Sequence, residues 1–328
     1  MEIGSEPARR DGPVVIAGGS GFIGMATTRR LAREGTPVIV LARRSAPAGL
    51  EKGIAWERWD ARTLGPWTRT LEGASALVNL AGRSVDCVKT PDHCDEILRS
   101  RVEATRVLGK AMRIVERPPP VWVQMSTAHA YGDSPDIVSD EDSPFGYGLA
   151  PTVARAWERE FQEGKLATQR GVILRTTFVV GRGEGALKKL APLARLGLGG
   201  AAGRGTQGIS WLHIDDMVSL IVRGIRDGSM HGAYIAGTEH PVSNRDFMRA
   251  LRRAVGMPIG IPAPALLVRL GAWLILNTDP DLALYGRYIV SRRLRAEGFV
   301  FQFPTIEAAF ADLFGKRARS ARNEDHRL

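Results

Sequence analysis

Pro13-Val-Val-Ile-Ala-Gly-Gly-Ser-Gly-Phe-Ile-Gly24 is the stretch from which the fold of this chain can be read. Val14 to Ala17 form a short apolar run of the kind that makes a buried strand. The run ends in Gly18-Gly19-Ser20-Gly21-Phe22-Ile23-Gly24, and a helical pattern continues to Glu34. Gly19, Gly21 and Gly24 satisfy G-x-G-x-x-G, while Gly18, Gly21 and Gly24 satisfy G-x-x-G-x-x-G. Glycine meets three needs at such a turn: a tight bend, close approach of backbone to a pyrophosphate, and close packing of helix on strand. Phosphates then rest on free amides at a helix N-terminus, where the dipole favours anions. A strand before and a helix after are the context that makes the pattern a dinucleotide site.

Working outward, apolar runs alternate with helical patterns through the first half. The expected strands are Val14–Ala17, Val38–Leu41, Ile54–Trp56, Ala76–Leu80, Val121–Met125 and Val172–Leu174, and the helices between them include Phe22–Glu34, Asp95–Val115 and Val153–Thr168. This β–α alternation predicts an α/β fold, a doubly wound parallel Rossmann-type sheet of order 3-2-1-4-5-6 covered by helices on both faces. After Gly181 the regime changes to glycine-rich sequence and proline-broken helices, with Trp211-Leu-His-Ile-Asp-Asp216 reading as a return to the first unit. The predicted division is a nucleotide-binding domain of residues 13–180 and 211–240, and a smaller, discontinuous α+β substrate domain of 181–210 and 241–315. Residues 1–12 and 316–328 read as disordered tails. Ala263 to Leu276, broken by Pro264 and Arg269, reads as a buried amphipathic helix, with contact to a membrane surface as the alternative.

The bulk composition narrows the function. A chain of 328 residues is long enough for a sizeable core. Two cysteines, Cys87 and Cys94, imply no disulfide framework, and a reducing cytoplasm is the expected setting. With His93 they make three metal-ligand types without a fourth, so no metal is expected. Met1 to Gly12 is polar and charged and lacks the apolar core of a signal peptide, and no window reaches the roughly 18 apolar residues of a membrane span. The net charge of +10 comes from scattered arginines, since only seven of 45 basic residues are lysine. They form no basic–aromatic track, which argues against nucleic acid as a partner. A small-molecule substrate, or an unidentified protein partner, is expected instead.

The end of the second strand discriminates between nicotinamide cofactors. A carboxylate there binds the ribose 2′-hydroxyl, whereas arginine accommodates a 2′-phosphate. Val38-Ile-Val-Leu41 runs into Ala42-Arg43-Arg44 with no acid beside it, so NADP(H) is preferred over NAD(H) on charge and geometry. Asp60, after the third strand, is placed to reach the adenine. Asn79-Leu80-Ala81-Gly82 ends the fourth strand, where small residues let backbone lie along the cofactor. Arg175, at the end of the sixth, is a candidate for the cleft.

With Asn79-Leu-Ala-Gly82 added to the glycines, the first half resembles the extended short-chain dehydrogenase/reductases. Arg195-Leu-Gly-Leu-Gly-Gly200, Gly203-Arg-Gly-Thr-Gln207, Trp211-Leu-His-Ile-Asp-Asp-Met217 and Arg292-Arg-Leu-Arg-Ala-Glu-Gly-Phe299 through Pro304-Thr-Ile-Glu307 are similar to one atypical branch. Its members are labelled NAD-dependent epimerases and carry a C-terminal domain of unknown function, and a plant relative is associated with plastid division. The resemblance spans residues 13 to 314 and implies fold and cofactor, not substrate.

Relatives outside that branch use a tyrosine, a lysine four residues later, and a serine or threonine after the fifth strand. In Ser126-Thr-Ala-His-Ala-Tyr131-Gly132 either Ser126 or Thr127 suits the hydroxyl. The tyrosine–lysine pair is missing, because Tyr147 is followed at the lysine position by Pro151. Tyr131 or His129 would then give the proton, and Arg155 would steady an oxyanion or a phosphate by its fixed charge. Sugar-nucleotide epimerases set an arginine before the aromatic–x–His motif to clamp a diphosphate, but Gly208-Ile-Ser210 stands there. Arg204, Trp211 and His213 are the remaining substrate-side candidates. The expected activity is an NADP(H)-dependent oxidoreductase on a small substrate. A catalytically silent cofactor-binding scaffold is the first alternative, and a sugar-nucleotide epimerase the second.

Overall fold

The computed structural model describes residues 12–133, 138–274 and 276–315. The expected tails, Gly12 apart, lie outside the described residues. Seven strands form the central sheet: β1 (Val14–Ala17), β2 (Val38–Ala42), β3 (Ile54–Arg58), β4 (Ala76–Asn79), β5 (Val121–Thr127), β6 (Arg170–Thr176) and β7 (Gly232–Ala236). All pairs are parallel and the order is 3-2-1-4-5-6-7, the expected order lengthened by one strand. β7 was not expected. Its Gly-Ala-Tyr-Ile-Ala run offers too few strongly strand-forming residues to stand out, and it is fixed by pairing with β6 from Val172 to Thr176.

Seven longer helices matter here: α1 (Phe22–Arg33), α2 (Pro91–Met112), α3 (Leu149–Gly164), α4 (Leu187–Arg195), α5 (Ile214–Arg226), α6 (Asn244–Val255) and α7 (Ala265–Leu274). α1 and α5 cover one face of the sheet, where Leu31, Leu220 and Ile221 are buried with Val14 and Ile16. Leu108 of α2 and Phe161 of α3 are buried on the other face with Val15 and Leu77. β1 is therefore apolar on both sides, as a central parallel strand must be. Two helices begin earlier than expected. Thr90 caps α2 by accepting the His93 amide at 3.2 Å, with Pro91 at the first position. Pro151 falls in the first turn of α3, where its missing N–H costs nothing.

A second apolar core gathers Trp211, Phe247, Leu251 and Phe310 from the strand Trp211–His213, α6 and the helix Ile306–Phe314. Residues 292–301 return to the sheet, where Leu294 is buried beside Tyr234 of β7, with Phe299 and Phe301 packed against them.

The buried helix expected over Ala263–Leu276 is not found. Only Ala272 of α7 is buried, while Leu266 is 69% and Trp273 63% exposed, with Leu267, Leu270 and Leu274 exposed beside them. A short helix that is apolar on nearly every side but Arg269 packs only one stripe and leaves the rest in solvent. No helix among the described residues is long and apolar enough to cross a membrane.

Candidate cofactor cradle and sheet-edge site

At the C-terminal end of β1 each glycine has its own constraint. Gly18 has φ +78°, its amide donates to Leu41 O at 3.0 Å, and a Cβ on it would strike the Leu80–Ala81 backbone at 2.9 Å. A Cβ on Gly24 would meet Gly18 O at 2.5 Å, so only glycine lets α1 sit this close to the turn. Gly19 is wedged against Val40. Gly21 differs: a Cβ there would touch only Gly18 O, at 3.4 Å, and would otherwise fill the space over the N-terminus of α1. That N-terminus has no side-chain cap and no acid in its first turn. Gly21 with the amides of Phe22, Ile23 and Gly24 thus forms an open, uncapped cradle at a helix N-terminus, the kind of place where anions are favoured. Ser20 stands exposed on its rim.

Arg43 and Arg44 follow β2 on the same edge, both exposed and with no ion pair among the described residues. Trp56 Nε1 donates to the Arg44 carbonyl at 2.9 Å, which fixes the turn. Asp60 is held by its own loop: Oδ1 accepts the Arg62 and Thr63 amides at 2.8 and 2.9 Å, and Oδ2 accepts the Thr63 hydroxyl. Burial opposes these bonds, yet they hold its carboxyl below the usual range. The Asn79 side chain does not face the edge. It is fully buried, donates to Thr105 Oγ1 and Gln124 Oε1 at 3.0 Å, and accepts the Ala81 amide at 3.1 Å. Its contribution is to shape the Leu80–Gly82 backbone that lies on Gly18.

The β5–β6 edge corrects three assignments. Ser126 is fully buried and gives its hydroxyl to Glu158 Oε1 at 2.6 Å. Arg175, its partner in register, faces inward onto Glu158 and Tyr131. Nε and Nη2 reach Glu158 at 2.9 and 2.8 Å, Nη1 donates to the Tyr131 hydroxyl at 2.7 Å, and the guanidinium lies 4.6 Å from the Phe145 ring centre. Tyr131 is only 6% exposed. Burial, against the pull of Arg175, pushes its phenol up to about 12. Thr127 is the half-exposed one of the three hydroxyls, and its Oγ1 accepts the His129 amide at 3.2 Å, which leaves the hydroxyl hydrogen free to donate. Burial, then Arg287 and Lys89, push His129 down to about 3, so the ring is neutral at pH 7. Glu158 was missed from sequence, although Val153, Ala154, Trp157 and Phe161 place it within the buried stripe of α3. A carboxylate in such a stripe calls for a cation.

The substrate-side candidates do not converge. Trp211 is core, with Nε1 donating to His240 O at 3.0 Å. His213 is buried against Phe303 and caps α5, its Nδ1 accepting the Asp215 amide at 3.2 Å. The ring hydrogen therefore sits on Nε2, which faces Asp312 at 3.5 Å, so His213, Asp215 and Asp312 offer no histidine lone pair to a metal. Arg155 holds the turn before α3 by donating to the Phe145 and Gly146 carbonyls at 3.0 and 2.9 Å. Arg204 is exposed. Ser210, where a clamp would stand, gives its hydroxyl to the Arg287 carbonyl at 3.0 Å.

Residues 14–237 match the family model described as NAD dependent epimerase/dehydratase family. The chain belongs to that family. Residues 263–313 match DUF1731, a domain of unknown function, which places the chain in the branch of extended short-chain-reductase-like proteins that carries it. Within this epimerase/dehydratase family, epimerase family protein SDR39U1 of Bos taurus is 32% identical over 307 residues, 92% of this chain and 99% of the relative. A chloroplastic SDR39U1 homologue of Arabidopsis thaliana is 28% identical over 90% of this chain and 85% of its own length. The crystal structure of human SDR39U1 (isoform 2) with NADPH has a TM-score of 0.81 at 28% identity, over 93% of this chain and 99% of that one. MoeE5 in complex with UDP-glucuronic acid and NAD, at 22% identity and a TM-score of 0.75, shares the fold.

Proposed function

We propose that the chain binds NADP(H) in preference to NAD(H) and transfers a hydride between it and a small, partly apolar substrate at the C-terminal edge of the sheet. The observation that carries this reading is the pairing of the Gly21 cradle with a β2 end that offers two exposed guanidinium groups and no carboxylate. The NADPH in the human relative's structure supports it. The cleft between residues 13–180 with 211–240 and residues 181–210 with 241–315 is the proposed substrate site. When bound, the cofactor supplies the hydride. The chain's own part is to orient and to screen. Thr127 donates its free hydroxyl hydrogen to the reacting oxygen. Tyr131, held protonated behind it, and the Ser126–Glu158–Arg175 network keep the ends of β5 and β6 in place. With no tyrosine–lysine pair, the proton comes through Thr127 from water.

Small carbonyl compounds screened for NADPH oxidation by the purified chain test this. On a hit, Thr127→Val is expected to lower turnover about 10²-fold at unchanged cofactor affinity, and Ser126→Ala to change stability more than rate. NADPH bound tightly with no turnover across a broad panel would instead make the chain a regulatory or scaffold protein.

A further inference from the structure

One half-buried cation has no role in the site described so far. Arg101 lies on the inward stripe of α2, four residues after buried Ile97 and four before buried Thr105. Thr105 is bonded to Asn79 at the end of β4, so Arg101 stands one helical turn nearer the C-terminal edge of the sheet. Its guanidinium lies against Gly82, where a Cβ would come within 3.1 Å of Cζ, and its Cζ is 5.1 Å from the ring centre of Trp157 on α3. Nη1 donates to the Ile97 carbonyl at 2.9 Å. No carboxylate pairs with it among the described residues, whereas Arg175 has Glu158. Burial draws the group down to about 10, which leaves it a full cation at neutral pH. A guanidinium partly withdrawn from water with no counter-charge gains by meeting an anionic ligand.

We propose that Arg101 anchors a carboxylate of the substrate, which its N–H groups left over from Ile97 would hold beside Gly82. The planar guanidinium fork matches the two oxygens of a carboxylate. Ala154, one turn before Glu158 on α3, adds no competing charge near Trp157. This assignment rests on the hydride-transfer reading for its place in the reaction, but the binding of the anion does not depend on it. It narrows the substrate to a carbonyl or hydroxyl compound that also carries a carboxylate.

The probe is acetate, with acetamide as the neutral isostere and phosphate as the tetrahedral anion. Thermal melting and tryptophan emission are followed on the full chain with and without NADPH. Acetate is expected to raise the melting temperature and change the emission, acetamide to do neither, and phosphate to act more weakly than acetate. Arg101→Gln should abolish the acetate response while leaving NADPH affinity within severalfold. Arg101→Lys, which keeps charge but loses the fork, should weaken the response about tenfold. Should Arg101→Gln not fold, Arg101→Lys decides. An unchanged response in either folded variant, or equal responses to acetate and acetamide, would overturn the assignment. If NADPH fails to bind, the cofactor reading falls, and the response of the free protein still judges Arg101.

Discussion

Arg43 stands exposed after β2 with no acid beside it, so a 2′-phosphate would gain a charge-assisted partner that a bare ribose 2′-hydroxyl cannot use. Arg43→Ala is expected to cost NADPH affinity about 1.5–3 kcal/mol and to leave NADH affinity almost unchanged. Fluorescence titration with both cofactors checks this, and equal losses would refute the assignment. Tyr131 makes a different kind of statement. Its folded value near 12 lies above the ordinary phenol value near 10, so the unfolded chain releases this proton first as pH rises. The stability from burying the neutral phenol is full below pH 10 and is lost as the pH climbs through 12. Tyr131→Phe should therefore flatten the alkaline limb of a denaturant-stability profile between those values. A profile with the limb unchanged would mean that the phenol is not held neutral by its surroundings.

At the scale of elements, the glycine turn shows how two similar residues carry unlike constraints. Gly21→Val is expected to abolish NADPH binding in a protein that still folds, because its Cβ meets nothing closer than 3.4 Å. Gly24→Val should destabilise the fold, since its Cβ would press on Gly18 O at 2.5 Å. Equilibrium dialysis and urea melts on the two variants separate these effects, and a Gly21→Val protein that retains NADPH would remove the cradle from the site. This turn, the first six strands and their order were legible because both motif and burial follow local rules: a strand apolar on both faces, then glycines, then a helix. The place of Arg43 just after β2 was legible for the same reason, since strand-end positions are counted from the turn. The roles of Arg175, Trp211 and His213 were not. Whether an arginine at a strand end faces a cleft or a buried carboxylate depends on which helix residue lies opposite, and Glu158 is 17 positions away from Arg175. His213 was a substrate-side candidate because it lies in the Trp211–Met217 motif, while its ring is used to cap α5. α7 misled in the opposite sense, since apolar composition says that a face would gain by being covered and not that the chain covers it.

For the molecule as a whole, the far edge of the sheet has a consequence for how the protein is made. β7 is finished at Ala236, and its Ile235 amide is met from earlier in the chain by Glu141 Oε1 at 3.0 Å, but the rest of its outer side is stitched by residues much later. Arg293 donates to the Ala233 and His231 carbonyls at 2.8 and 2.9 Å, Glu297 accepts the Tyr234 hydroxyl at 2.8 Å, and Leu294 fills the core beside it. A ribosome that has released every strand of the sheet has therefore not yet released the residues that seal its last edge. Until then the nascent chain exposes a row of unpaired backbone groups and an apolar layer, the features that recruit chaperones or neighbouring chains. Release of a fragment ending at residue 240 should give a product that pellets and binds apolar dyes, whereas one ending at residue 315 should stay in the supernatant. Slow codons placed after residue 240 should lower the soluble yield, and the same codons before residue 120 should not.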